Sequence, residues 1–165
     1  MLLIGNIISL IGSLLMVSIG FIKDKKKILL AQCGQFTIMA IGNLFLGAYA
    51  GTISNVIGIV RNLTFSRTAS TNTLKVFFII AQLSITLAKG IHSAVELCPV
   101  FSTIIFTWSI DAKSTIRFKI MLILAQILWM IYDFYYHNYT AFLFDILTIL
   151  SNVCGIVALR RKIHE

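Results

Sequence analysis

The strongest constraint on this chain is a series of apolar runs separated by short gaps that hold almost all of its basic residues. Residues 2–22 carry no charge and stop at Lys23-Asp24-Lys25-Lys26-Lys27. Further apolar runs cover about 28–49, 52–65, 74–88, 96–110, 120–136 and 141–159, the last closed by Arg160, Arg161 and Lys162. An α-helix needs about 20 such residues to cross a bilayer core. It satisfies its backbone polar groups internally, as lipid requires. The alternation that marks a membrane β-barrel is missing, so these runs read as helices. The 52–65 run is short and is expected to borrow residues on each side. Tight turns are expected at Ala50-Gly51 and at 137–140, and polar loops at 66–73, 89–95 and 111–119.

Composition agrees. Hydrophobic residues make up 58% of the chain and charged ones 12%, against roughly 25% charged in soluble domains. A soluble core of this size could not hide that much apolar surface. The N-terminal run has no basic residue before it and a basic cluster after it, which fits a membrane span with a cytoplasmic anchor rather than a secretory signal. Cys33, Cys98 and Cys154 have neither metal-site spacing nor an even count, and read as small packing residues.

The net charge of +8 has a topological reading. With seven helices, 13 of the 14 basic residues fall on one side of the membrane and Lys89 alone on the other. The positive-inside rule then puts the N-terminus outside and the C-terminus in the cytoplasm. No basic face interleaved with aromatics suggests nucleic acid.

The chain also repeats itself. Ser54-Asn55-Val56-Ile57-Gly58-Ile59-Val60 recurs as Ser151-Asn152-Val153-Cys154-Gly155-Ile156-Val157, a spacing of 97. A competing register of 90 sets Asn43 on Asp133, Tyr49 on Tyr139, Asn55 on Asp145 and Asn62 on Asn152. Either way, the expected fold is an all-α polytopic membrane protein of about seven helices arranged 3+1+3. Residues 1–66 and 94–165 form parallel triple-helix units, and 67–93 carry the linking fourth helix. Parallel repeats about an axis along the membrane normal are the plan of the SWEET transporters.

Three segments carry a family resemblance. They are His92-Ser93-Ala94-Val95-Glu96-Leu97-Cys98-Pro99-Val100 with Thr107-Trp108, then 51–67 with Arg61 inside its helix, then 128–161 with Asp145 and Asn152. Together they resemble the YgjV family of bacterial inner-membrane proteins. The resemblance implies a multi-pass protein of the bacterial cytoplasmic membrane with a SWEET-like layout. The Pro-Gln pair of the SWEET proteins is absent, since Pro99 is followed by Val100.

Ionisable and amide groups inside membrane spans are costly and usually functional. Asp145, roughly 6 Å into the seventh helix by its rise, and Asp133 across the same turn are candidates for a cation, a proton or a substrate amine or hydroxyl. The plainer alternative is that both reach the headgroup region. Asn55, Gln126 and Asn152 lie near the bilayer centre, where they either line a cavity or join helices. Trp129 can stack on a ligand ring. Arg61 is a gate residue, a partner for an anion, or a snorkelling anchor. A site shared by both units would take Asn55 from one and Asn152 from the other. Gly5, Ser9, Gly12, Ser13 and Gly20 form a packing stripe on the first helix.

The resulting expectation is a small-molecule permease with a site between the two triplets. The alternative is a membrane partner or regulator that transports nothing. No enzyme chemistry, metal or cofactor is expected, and nucleic acid is not a partner. The expected partners are the lipid bilayer and a small-molecule substrate, with a homo-oligomer left open.

Overall fold

The computed structural model describes residues 1–19, 25–110 and 114–164. Gly20 of the expected stripe, and Lys23, Asp24, Asp111 and Lys113 of the expected polar breaks, lie outside the described residues. The described chain is helical almost throughout: α1 (Leu2–Ile19), α2 (Lys25–Phe45), α3 (Tyr49–Arg67), α4 (Asn72–Lys89), a 3-10 turn (Ala94–Leu97), α5 (Cys98–Ser109), α6 (Thr115–Tyr135) and α7 (Tyr139–His164). This is an all-α polytopic membrane protein.

The ends of these helices follow from their sequence. Thr71, Ser93 and Ser114 accept from Leu74 N–H, Val95 N–H and Arg117 N–H, so each caps the helix it precedes. Pro99 sits in the first turn of α5, where it has no hydrogen bond to lose. Gly90 closes α4 at φ +89°.

One boundary differs from expectation. The expected turn at Ala50-Gly51 lies at 46–48, and Tyr49, expected to end the second helix, opens α3. Gly47 explains the shift. It takes the left-handed φ of +72° that terminates α2, and Ala48 N–H then reaches back to Asn43 O at 2.8 Å. Ala50 and Gly51 fall inside the first turn of α3.

Four helices, α1, α2, α6 and α7, combine the length and apolar composition of a membrane span. The 19 residues of α3 reach about 28 Å at about 1.5 Å per residue. Its composition is too polar for a span judged alone, because Ser54, Asn55, Arg61 and Asn62 sit on it. All four are buried. The polar side of α3 faces protein rather than lipid.

Six helices close a ring. α1 packs on α2, α2 on α3, α3 on α5, α5 on α6, α6 on α7, and α7 returns to α1, while α4 lies outside against α3 and α5. The ring is apolar outward and polar inward. Leu3 is 72% exposed and Leu143 54%, and among the described residues buried polar side chains outnumber buried apolar ones. A bilayer accounts for this inversion, since lipid solvates the outer surface that water would reject.

The α1–α2 contact shows how the small-residue stripe works. A Cβ on Gly5 would stand 2.7 Å from Leu46, one on Gly12 2.7 Å from Met39, and one on Gly42 2.6 Å from Ser9 Oγ. Helices without a hydrophobic drive to associate gain from this close approach.

Candidate functional site

The two turns that join α2 to α3 and α6 to α7 are built alike. Ala48 N–H bonds Asn43 O at 2.8 Å, and Asn138 N–H bonds Asp133 O at 2.8 Å. Gly47 has φ +72° and His137 φ +57°. Each pair of residues is 90 apart, so the backbone selects the 90-residue register over the 97-residue one. Both turns lie at one end of the ring with the start of α1 and the 3-10 turn. Asn6 Nδ2 donates to His137 O at 2.9 Å, and Val95 packs with Ala48 and Tyr132.

A partly open cavity of about 580 Å³ lies within the ring. Small-molecule sites occupy cavities of about 300–1,000 Å³. Positions along its wall pair at the same spacing of 90: Met16 with Phe106, Met39 with Trp129, Asn55 with Asp145, and Gly58 with Thr148. The cavity is therefore lined by corresponding positions of the two halves.

Helical periodicity decides which groups reach it. On α3, Asn55, Gly58 and Arg61 are three residues apart, and on α7, Ala141, Asp145 and Thr148 are four and three apart, so each set shares one face. From α6 come Gln126, Trp129 and Asp133. Asn55, Arg61, Gln126, Trp129, Asp133 and Asp145 thus meet at one cavity. Asn152 does not. It donates to Thr148 O at 2.9 Å and accepts from Lys119 Nζ at 3.4 Å, beyond the lining. In the 90-residue register the partner of Asn55 is Asp145, so the site shared by Asn55 and Asn152 does not form.

The carboxyl groups of Asp133 and Asp145 lie within hydrogen-bonding reach of one another. Gln126 Nε2 donates to Asp145 Oδ1, and Asn138 Nδ2 donates to Asp133 Oδ1 at 3.2 Å. The other Asp145 oxygen, Oδ2, accepts from no donor among the described residues, and Asn55 Nδ2 has no acceptor among them. A buried polar atom left unpaired costs about 1–3 kcal/mol. Both atoms belong to residues that line the cavity, so an occupant can satisfy them.

Arg61 is 2% exposed. Its Nη1 donates to Thr107 Oγ1 at 3.0 Å, and its Nε and Nη2 donate to Asn62 Oδ1 at 3.2 and 3.1 Å. The Phe106 ring lies beneath the guanidinium, 4.7 Å away. Asn62 in turn donates to Gln32 Oε1 at 2.9 Å, which fixes it as an acceptor for Arg61. The snorkelling alternative is not what forms, because the guanidinium stays inside the ring.

Several contacts are not suggested by residue type alone. Asn6 accepts from Thr140 N–H at 3.2 Å and ties α1 to the α6–α7 turn. Its signal was a lone amide in the most apolar run. Glu96, just ahead of α5, accepts from Lys89 Nζ at 3.2 Å, Tyr136 Oη at 2.9 Å and His92 N–H at 3.2 Å. Burial by itself would raise this carboxyl, but the bonds from Tyr136, His92 and Lys89, with the Lys89 charge, outweigh it. They hold Glu96 below its ordinary value. Gln82 Nε2 donates to Ser54 Oγ at 2.6 Å and fastens α4 to the ring.

Residues 3–163 match the Imp-YgjV family, described as bacterial inner membrane protein. A curated relative, the inner membrane protein YgjV of Escherichia coli (strain K12), is 26% identical over 132 residues. That stretch is 80% of this chain and 69% of the relative. No solved structure matches the chain.

Proposed function

Because the chain belongs to this family of bacterial inner membrane proteins, we propose that it is a small-molecule permease with its substrate site in the central cavity. The supporting observation is a mostly apolar cavity within a membrane protein, walled by both halves of the chain and holding a few polar groups, with Asn55 Nδ2 and Asp145 Oδ2 unpaired in its lining residues. Packing alone does not call for such groups, since a helix ring can be sealed more cheaply with apolar side chains. In this reading Asn55, Gln126, Trp129, Asp133 and Asp145 contact substrate. Asn152 supports α6 through Lys119.

Residues 1–66 and 94–165 act as two units joined by the α4 segment, 67–93, and their relative tilt opens the cavity to alternate sides. The parallel repeats of SWEET transporters supply the precedent for this motion. The N-terminus lies outside the cell and the C-terminus in the cytoplasm, a reading that the distribution of basic residues supports. No covalent chemistry is assigned to the cavity.

The test is a thermal-stability screen of the detergent-purified protein against sugars, nucleosides, vitamins, amino acids and organic acids, followed by uptake into proteoliposomes. A substrate raises the melting temperature of the wild type by mass action, and the rise is absent in Asp145→Asn and Asn55→Ala. If no compound shifts the wild type and both variants melt with it, the permease reading fails and a non-transporting membrane partner takes its place.

A further inference from the structure

The repeat fixes the shape of the cavity but not its charges. Each ionisable group in the lining falls where the two halves differ. Asp145 stands opposite Asn55, Asp133 corresponds to Asn43, and Arg61 corresponds to Ser151. A packing requirement common to both halves would be repeated with the backbone. These three side chains are not repeated, so they answer to something asymmetric inside the cavity.

Arg61 is the informative one. A guanidinium offers five N–H donors, and here three bonds are made, all to neutral oxygens of Thr107 and Asn62. No carboxylate among the described residues pairs with it, although two line the same cavity. A buried cation without a counter-charge is strongly unfavourable in a membrane interior. Arg61 lies six residues beyond Asn55 on α3, about 9 Å deeper along the helix axis. The cationic group and the Asn55–Asp145 level therefore stand at different depths of one space.

The unsatisfied atoms specify complementary chemistry. At the Arg61 level each guanidinium nitrogen already donates to a neutral protein oxygen, and what is left over is positive charge with spare N–H capacity. At the Asn55–Asp145 level they are one amide donor and one carboxylate acceptor. Resting on the permease reading, the geometry points to a substrate that is a small organic acid bearing a hydroxyl or amino group. Its carboxylate sits on the Arg61 guanidinium and its hydroxyl or ammonium donates to Asp145 Oδ2. A planar fork of donors suits a carboxylate better than a point charge would. The carboxylate supplies the counter-charge that Arg61 lacks, and the second group takes up the orphaned acceptor.

The test uses wild-type protein in detergent and in proteoliposomes. The probes are straight-chain amino acids and hydroxy acids of two to six carbons carrying the second group at the far end, with the matching neutral amides and the unsubstituted acids. The acids with both groups are expected to raise the melting temperature and be taken up, and each neutral amide to bind about tenfold more weakly or worse. Arg61→Gln is expected to lose that preference and Arg61→Lys to recover part of it, while Ser151→Ala, at the position corresponding to Arg61 in the other half, keeps the wild-type profile. If Arg61→Gln does not fold, the comparison of acid with amide on the wild type still decides. Polyols, sugars or the neutral amides binding as well as or better than the acids, in a manner sensitive to Asp145→Asn, overturns this substrate class and leaves the permease standing. Absence of binding by every probe, and by the broader screen above, overturns both.

Discussion

The hydroxyl of Tyr132 accepts a 2.7 Å hydrogen bond from the backbone N–H of Gly51, joining α6 of one half of the ring to the first turn of α3 in the other. Gly51 belongs to the four opening residues of a helix, whose N–H groups lack helical partners. Tyr132 is fully buried, so no water replaces it. Tyr132→Phe is expected to destabilise by about 1–3 kcal/mol, the cost of a buried donor left unpaired. Gly51→Ala is expected to cost at least as much, because its Cβ would stand 2.6 Å from Asn43 Nδ2 and 2.7 Å from Tyr132 Cε1. Thermal melting in detergent, followed by the monodisperse fraction, measures both. Melting temperatures equal to wild type would show that the two halves are held elsewhere.

The sequence exposes this arrangement unevenly, for physical reasons. Spans such as α1 are legible because an unbroken apolar run has one outcome in lipid. Cavity residues such as Asp145 and Asn55 are legible because a polar group there stands out against its neighbours. The register was harder. The 97-residue match rests on side-chain identity in Ser-Asn-Val-x-Gly, whereas what repeats is backbone shape. A glycine at 47 and a histidine at 137 make the same turn, and side-chain identity does not report that. Ala50-Gly51 reads as a turn but lies in a helix for a related reason. Glycine marks a turn when it supplies a left-handed φ, as at Gly47, and marks close approach when it sits in a helix, as at Gly51. The two look alike in sequence. Asn6 and Glu96 were hard to place because their partners, Thr140 and Tyr136, lie 134 and 40 residues away.

The paired turns give a second prediction. Gly47 has nothing within 4 Å of an added Cβ, so replacement there costs only the left-handed φ. Gly47→Ala is expected to destabilise by about 1–2 kcal/mol. His137 bears that strain in the wild type at φ +57°, and His137→Gly relieves it at the expense of about 0.5–1 kcal/mol of added chain entropy. The expected result is a clear loss at 47 and a small gain or no change at 137. Equal losses at the two sites in melting experiments would mean that the turns are not equivalent.

A third prediction concerns acid. Glu96 is buried and held below its ordinary value of about 4.5 by Tyr136, His92 and Lys89. A depressed folded-state value means that the unfolded chain takes up the proton first as pH falls. The stabilisation is complete above about 4.5 and is lost as pH drops through the lower folded value. Glu96→Gln removes the charge and turns an amide donor toward either His92 N–H or the Lys89 and Tyr136 donors. It is expected to melt lower than wild type at pH 6, by about 1–3 kcal/mol. The gap should narrow as pH falls below about 4.5 and through the lower folded value, where the wild type loses the same contribution. A gap that stays constant across this range would assign the effect to packing.

The orientation in the membrane can be tested from the same end of the ring. Lys89 is the one basic residue expected at the end that holds the 3-10 turn and the α2–α3 and α6–α7 turns. It is bound to Glu96 at 3.2 Å, so even that charge is offset. At the opposite end Lys26, Arg67, Arg160 and Arg161 are all exposed. Translocating that end would carry several cations across the bilayer, each costly. With Cys33, Cys98 and Cys154 replaced by alanine, His92→Cys is expected to react with a membrane-impermeant maleimide on intact cells. Thr68→Cys, in the α3–α4 loop, is expected to react only after permeabilisation. Both positions are exposed in the fold, so access is set by the membrane alone. The reverse pattern would invert the topology and put the mouth near Asp133 in the cytoplasm. Labelling of both positions on intact cells would mean that α4 does not separate two sides of a bilayer.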